Sequence, residues 1–285
     1  MNPHHGVAVA LLGASPKTGN MGVSALGAAT VDLLAERLGL RRLVVGDHGT
    51  GSREFEYRLG KGGSITAEML GLSSTKRIWS GHSLYWALFA TATGLPISRQ
   101  TRVFGEMDAV LEVTGGDSFT DLYGPKVFWA GLTRKRLALD SGAPLILLPQ
   151  TYGPFSDGAK PEAAAVVRRA AACWARDERS YGILQDLLGD AFDPERHRCG
   201  GDLAFGLVPR APRDDAIAGI AGMLDSAAGP LVGFNVSGLI YNDPDKAVAR
   251  YRFKADYRVS VDRFLSGLLE RTDARVLLIP HVVSA

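Results

Sequence analysis

Short apolar runs alternate with helical patterns along most of this chain, and that alternation limits the possible fold more than any other feature. The run VAVALL at 7–12 predicts a strand, and apolar residues then recur at helical spacing from 26 to 38. Further strands are predicted at 41–47, 106–113, 143–150, 172–177, just before 200, at 230–237 and at 274–281. Further helices are predicted at 78–92, 125–141, 159–172, 180–189, 214–228 and 257–271. Strands that alternate with helices predict an α/β protein with parallel sheets.

The pattern restarts near residue 206, where two prolines and several charges predict a linker. We therefore expect two Rossmann-like, doubly wound parallel-sheet domains, one at 1–205 and one at 206–285. The second range contains only two clear strands, so we expect that this domain is truncated.

Two segments do not fit the alternation. Residues 48–77 are rich in glycine, serine and charge, which predicts a long loop. Residues 241–256 form a polar stretch of basic and aromatic residues, which predicts an insertion.

Bulk properties exclude several classes of protein. The net charge of +2 predicts no strong attraction to nucleic acid. Cys173 and Cys199 are expected to be buried free thiols in a reducing compartment. The N-terminus lacks the basic stretch of a signal peptide. The apolar segment 84–97 is too short to span a bilayer, which predicts a buried helix, with attachment to a membrane surface as the alternative.

Glycines and polar side chains follow nearly every predicted strand. They are Lys17, Asn20 and Gly22; Gly115, Gly116 and Asp117; Gln150, Tyr152 and Gly153; Arg176, Asp177 and Arg179; Ser237 and Gly238; and His281. In open parallel sheets, ligands bind beyond the carboxyl ends of the strands. Glycines also allow the backbone to turn sharply and to approach a ligand closely. The sequence therefore predicts a ligand site at this edge of the sheet.

Each motif also has a purely structural interpretation. The stretch TGGD at 114–117 would then be an ordinary turn from strand to helix, with Asp117 as a helix cap. Asp177 would cap its own helix or pair with Arg179, and His281 would be structural. The glycine-rich loop 13–22 precedes a helix and could hold an anion, although it matches no standard nucleotide-binding pattern. The sequence contains no HExxH or GxSxG motif and no zinc-ligand spacing.

Taken together, the motifs resemble the polysaccharide pyruvyl transferase family. The matching stretches are GNMG (19–22), GGDSFTDLYG (115–124), PQTYGPF (149–155), ARDERS (175–180), GGDLAF (200–205), GFNVSGLIY (233–241) and IPH (279–281). The chain departs from the family pattern at Val23, where many relatives carry an acid.

The resemblance implies a glycosyltransferase-B-like architecture and a defined reaction. The enolpyruvyl group of phosphoenolpyruvate would be transferred to hydroxyls of a cell-surface or exopolysaccharide sugar, which gives a pyruvate ketal. No cofactor is expected, because phosphoenolpyruvate is itself the donor substrate. No metal is expected either, although Asp117 and Asp121 could hold one. The acceptor would be a glycan or a lipid-linked saccharide. The expected location is the cytoplasm, with peripheral contact at the inner face of the membrane as a further expectation, and no oligomeric state is predicted.

Strand-end placement and the resemblance together suggest roles for individual residues. The catalytic set would be His281 for proton transfer, Asp117 as a base and Arg176 for the anionic donor. The expected donor-binding residues are Lys17, Asn20, Gly22, Arg176, Arg179 and Ser180, with the N–H groups of the glycine turns as further donors of hydrogen bonds. The expected acceptor-binding residues are Gly115, Gly116, Asp121, Tyr123, Gln150 and Tyr152.

Two other functions remain open at this point. A glycosyltransferase of the same architecture would use a nucleotide sugar, which it would bind in the second domain. A non-catalytic remnant would keep a folded first domain that binds a glycan or a partner.

Overall fold

The computed structural model describes residues 6–16, 18–75, 82–93, 98–211, 217–224, 229–280 and 282. The chain divides into two compact units. Unit 1 comprises Met1–Pro16 and Gly22–Val208, and unit 2 comprises Lys17–Met21 and Pro209–Ala285.

Unit 1 is built on a sheet of eight strands in the order β3-β4-β2-β1-β5-β6-β7-β8. Neighbouring strands are parallel, except that β3 and β4 are antiparallel. The strands are β1 Val7–Leu12, β2 Leu40–Asp47, β3 Ser52–Arg58, β4 Ser64–Gly71, β5 Ala109–Glu112, β6 Leu145–Gln150, β7 Ala172–Ala175 and β8 His197–Cys199. The α/β class with a large parallel sheet is therefore confirmed.

Helices connect these strands. They are α1 Met21–Leu38, α2 Leu84–Thr93, α3 Arg99–Gly105, α4 Pro125–Asp140, α5 Lys160–Arg169 and α6 Glu178–Leu188. The apolar core lies on both faces of the sheet: Ala8, Ala10 and Leu12 of β1 belong to one buried cluster, and Val9 and Leu11 belong to the other. Alternate residues of a strand face opposite sides, so β1 is covered on both.

The prediction of a long loop at 48–77 is wrong, because the segment contains β3 and β4. The charged residues of β3 hid its alternating pattern, in which Phe55 is half-buried, Tyr57 is buried and their rings lie 4.9 Å apart. Strand β3 is the edge of the sheet, where charged side chains are common because they discourage pairing with another chain.

Two smaller corrections concern the region before β5. The strand predicted at 106–113 is limited to Ala109–Glu112, because Glu106 is the C-cap of α3. Helix α3 was not predicted; its N-cap is Ser98, whose side chain accepts the N–H of Thr101. Part of the predicted helix 78–92 lies outside the described residues, and the rest corresponds to α2.

Unit 2 contains a two-stranded parallel sheet formed by β9 (Leu231–Val236) and β10 (Arg275–Pro280). The α-helices among its described residues are α7 (Gly238–Tyr241), α8 (Pro244–Tyr251) and α9 (Tyr257–Arg271). Helix α8 lies within the segment 241–256 that was predicted to be an insertion. Much of the helix predicted at 214–228 lies outside the described residues, and the described part holds a short 3-10 helix at Ala221–Met223. Within the described ranges, no helix is long and apolar enough to cross a membrane.

Helix α1 packs very closely on the chain that follows β1. A Cβ atom added at Gly27 would lie 2.3 Å from the carbonyl oxygen of Ala14, whereas one added at Gly182 in α6 would meet nothing within 4 Å. We expect Gly27→Ala to lower the free energy of unfolding by about 1–3 kcal/mol, because the helix must shift. Gly182→Ala should raise it by about 0.5–1 kcal/mol, because alanine favours a helix.

Denaturant unfolding of both variants would check this pair. A Gly27→Ala protein at least as stable as the wild type would show that α1 does not need this close approach.

Candidate functional site

Two turns meet at the point where the sheet reverses its strand order. The chain runs outward from β1 through β2 to β4 and then returns to β5, beside β1. Leu12 pairs with Glu112, so both strands end together. Gly13 accepts the N–H of Gly115 at 2.8 Å, and a Cβ at Gly13 would lie 2.5 Å from the Thr114 nitrogen. Ligands of open α/β folds bind at such a reversal point.

The turn at 114–117, which we call the glycine turn, has an unusual backbone. Thr114, Gly115 and Gly116 have φ angles of 41°, 62° and 88°. This left-handed region favours glycine. The glycines are therefore required by the conformation of the chain itself.

The glycine turn uses most of its own N–H groups. The N–H of Gly115 binds Gly13, that of Gly116 binds the carbonyl of Val113, and that of Ser118 binds the carbonyl of Thr114. This corrects the expectation that the N–H groups of Gly115 and Gly116 would be available to a substrate. An anion at this turn must be held mainly by side chains.

A buried ion network lies beneath the glycine turn; it consists of Glu112, Thr114 and Lys135. Lys135 Nζ lies 2.9 Å from Glu112 Oε2 and donates to Thr114 Oγ1 at 2.5 Å. Thr114 gives both its N–H and its hydroxyl hydrogen to Glu112 Oε1. Glu112 and Lys135 are almost completely buried, and burial lowers the pKa of Lys135.

Sequence reasoning missed this network, although a signal existed. An acid stood inside the apolar run 106–113, and a lysine stood on the apolar side of the following helical pattern. Both are rare positions for a charge unless it is paired.

Arg176 lies against the glycine turn. Its Nη1 atom is 3.2 Å from the position where a Cβ of Gly116 would be, and it donates to Asp202 Oδ2 at 3.1 Å. The backbone N–H of Arg176 binds the carbonyl of Gln150. The structure thus brings together the ends of β5, β6 and β7, and Asp202 orients the guanidinium.

Asp117 is exposed at the end of the glycine turn. Its Oδ2 accepts the hydroxyl of Tyr123 at 2.8 Å, and its Oδ1 accepts the hydroxyl of Ser118 at 3.0 Å. The structural interpretation of Asp117 as a helix cap is wrong, because α4 begins after Gly124. The carboxylate is oriented by two hydroxyls and faces solvent.

Three of the expected acceptor-binding residues serve the framework instead. Gln150 and Tyr152 are fully buried, and Tyr152 packs edge-on against Phe119. Asp121 accepts the N–H and the hydroxyl of Ser156 at 3.1 and 2.5 Å. Their position at strand ends was predicted, but their side chains point into the protein or bind a neighbouring loop.

Asp177 caps the start of α6, as the structural interpretation of this residue predicted. Asp177 Oδ1 accepts the N–H of Ser180 at 2.7 Å, and this bond is the largest cause of the lowered pKa of Asp177. Ser180 is buried, while Arg179 is exposed. Of this pair, only Arg179 presents its side chain to solvent.

The remaining expected site residues are Asn20, Gly22, Lys17 and His281. Asn20 belongs to unit 2, where it forms an isolated bridge with Val282, and Gly22 lies in the first turn of α1. Lys17 and His281 lie outside the described residues. Across the described ranges, no group of three or more His, Cys, Asp or Glu side chains is arranged to hold a metal ion.

A model of the polysaccharide pyruvyl transferase family matches residues 20–284. The chain belongs to the polysaccharide pyruvyl transferase family. No curated protein matches the sequence.

Solved structures show weak similarity to this family member. UDP-N-acetylglucosamine 2-epimerase from Rickettsia bellii has 12% identity and a TM-score of 0.44, covering 98% of this chain and 70% of that one. Anabaena Alr3699/HepE in complex with UDP and glucose has 13% identity and a TM-score of 0.46, covering 96% and 69%. The trehalose-phosphate synthase from Burkholderia vietnamiensis has 12% identity and a TM-score of 0.42, covering 97% and 64%. Similarities this weak carry no argument about a substrate.

The cap on α6 gives a pH-dependent prediction for this family member. Asp177→Ala should lower the free energy of unfolding by about 1 kcal/mol at neutral pH, because the Ser180 N–H loses its acceptor. The pKa of Asp177 is lowered from 3.8 by folding, so this stabilisation is present above pH 3.8 and is lost as the pH falls through the folded value.

Denaturant unfolding at several pH values would test this, with Asp186→Ala in the same helix as the control. An equal effect of both substitutions, or an effect of Asp177→Ala that persists in strong acid, would contradict the capping role.

Proposed function

We propose that the protein transfers the enolpyruvyl group of phosphoenolpyruvate to two hydroxyls of a sugar. A proton is delivered to the methylene carbon, and the first hydroxyl attacks the neighbouring carbon and loses its proton. The second hydroxyl then displaces phosphate from that carbon. The products are a cyclic pyruvate ketal and inorganic phosphate.

Membership of the family is the observation that carries this proposal. The geometry of unit 1 adds support, because Arg176 stands against Gly116 at the reversal point of the sheet. Phosphoenolpyruvate carries a carboxylate and a phosphate, and both are suited to the guanidinium of arginine. Since the glycine turn uses its own N–H groups, Arg176 and the exposed Arg179 are the proposed donor contacts here.

Asp117 is the proposed base for an attacking hydroxyl. It is exposed, is the last residue of the glycine turn and accepts hydrogen bonds from Tyr123 and Ser118. A base must lie within hydrogen-bonding distance of the proton it takes, and two fixed hydroxyl donors restrict the direction of its carboxylate. His281 keeps its proposed role in proton transfer, and Lys17, Asn20 and Gly22 keep theirs in donor binding.

The proposed acceptor is a glycan or a lipid-linked saccharide. We place the reaction in the cytoplasm, where Cys173 and Cys199, both free thiols, would remain reduced. Contact with the inner face of the membrane would bring the protein to a lipid-linked acceptor.

Arg176→Ala should weaken phosphoenolpyruvate binding by about 1.5–3 kcal/mol, the range for a hydrogen bond to a charged group. Arg169→Ala is the matched control, because Arg169 also pairs with an aspartate, Asp140 at 2.7 Å. Arg169 is the last residue of α5 and precedes β7, so it lies on the side of the sheet where the strands begin. Calorimetric titration of both variants with phosphoenolpyruvate, and of the wild type with UDP-glucose, measures the difference.

Unchanged affinity in a folded Arg176→Ala protein would remove Arg176 from the site. Binding of UDP-glucose alone by the wild type would favour a nucleotide-sugar transferase. A folded wild type that binds neither would contradict the proposed donor.

Asp117→Asn should lower turnover about 100-fold or more while it keeps donor affinity, because general base catalysis typically contributes 10²–10⁴-fold. Tyr123→Phe should cause a smaller loss, because the base is kept but one of its orienting bonds is removed. Phosphate release and ketal formation measure turnover, with Asp186→Asn on α6 as the control. Wild-type turnover in Asp117→Asn would exclude Asp117 as the base.

A further inference from the structure

The ammonium group of Lys135 is fixed in an unusual place. Its side chain is fully buried in α4, where an unpaired charge would be very unfavourable. Its partners are the carboxylate of Glu112, the hydroxyl of Thr114 and the ring of Phe119, whose centre is 4.2 Å from Nζ. A buried ion pair is poor evidence for stability, since apolar residues often serve as well.

Thr114 supplies a second unusual feature at the same point. Its φ of 41° is strained for a β-branched residue. Glu112 Oε1 accepts both its N–H and its hydroxyl, and Lys135 donates to that hydroxyl. Every polar hydrogen of Thr114 is therefore held by the buried ion network, which maintains the strained conformation.

Lys135 contacts residues on both sides of Asp117 in the sequence. Lys135 touches Thr114 three residues before Asp117 and Phe119 two residues after it. The same ammonium thus fixes both ends of the segment that carries the exposed carboxylate. Arg176 is held separately by Asp202.

We infer that Glu112, Thr114 and Lys135 are positioning residues that set the Asp117 carboxylate for the transfer reaction. The inference rests on the proposed function. The buried ion network then acts in the step in which a hydroxyl attacks, whereas Arg176 acts in donor binding. Loss of the network should therefore lower kcat without weakening the donor complex.

Thr114→Gly and Thr114→Ser form the deciding pair of variants. Glycine adopts the left-handed conformation without strain but removes the hydroxyl, whereas serine keeps the hydroxyl. We expect Thr114→Gly to fold, to keep its affinity for phosphoenolpyruvate and to lose about 10- to 100-fold in kcat, since small misplacements of a reacting group cost that much. Thr114→Ser should keep most of the wild-type kcat.

The ion pair is tested by the double variant Glu112→Gln/Lys135→Met. Lys135→Met alone would leave the Glu112 carboxylate buried without its cation and is expected to fold poorly, while the double variant removes both charges. We expect a stable protein with unchanged donor affinity and reduced kcat. Wild-type kcat in both Thr114→Gly and the double variant would overturn the inference while the proposed function stands.

Amide hydrogen exchange separates failure of the inference from failure of the proposed function. The Ser118 N–H binds the Thr114 carbonyl and reports the order of the glycine turn directly. Faster exchange at Ser118 in Thr114→Gly, but not in Thr114→Ser, is the expected result. If the wild-type protein formed no ketal, the proposed function would be contradicted, but hydrogen exchange would still test whether the network orders the glycine turn. Equal protection of the Ser118 N–H in the wild type, Thr114→Gly and Thr114→Ser would overturn the positioning role.

Discussion

Strand β1 hydrogen-bonds to β2 on one side and to β5 on the other, and the site in unit 1 depends on that central position. Both faces of β1 are buried, so it cannot move to an edge without exposing core residues. The chain must therefore leave β1 in one direction and return in the other. The turns after β1 and β5 then lead to helices α1 and α4, whose buried residues belong to different core clusters.

The close contact between the turns after β1 and β5 restricts which residues can occupy them. Gly13 must lack a side chain because the Thr114 nitrogen is too close, and Gly116 has a φ of 88°, which residues with a side chain rarely adopt. Three consecutive positive φ values let the chain reverse within the turn, and the N–H groups close hydrogen bonds inside it. Conformation and packing, rather than ligand contact, are sufficient to explain both glycines of the GGD motif.

The sequence predicted elements with clear periodicity well and irregular ones poorly. Strand β1 and helices α4 and α9 have clear periodicity, and the structure has them close to the predicted bounds. Strand β3 was missed because its charges suit a sheet edge and therefore resemble a loop.

The same limit applies to the site. Parallel strands place their ends at one edge, so the proximity of Gly116 and Arg176 follows from the strand order. Whether a side chain at a strand end points outward or inward does not follow, which is why Gln150 and Tyr152 were expected to bind the acceptor although both are buried. The contact between Glu112 and Lys135 joins a strand to the middle of the next helix, and periodicity alone does not pair such residues.

Charge at the site sets a requirement for any anionic donor. The guanidinium of Arg176 lies 3.1 Å from Asp202 and 3.8 Å from Asp177, so much of its charge is balanced before a ligand arrives. Asp117 adds a further carboxylate at the same edge. A donor with two anionic groups therefore needs more positive charge than Arg176 alone supplies, and the exposed Arg179 is on the neighbouring helix.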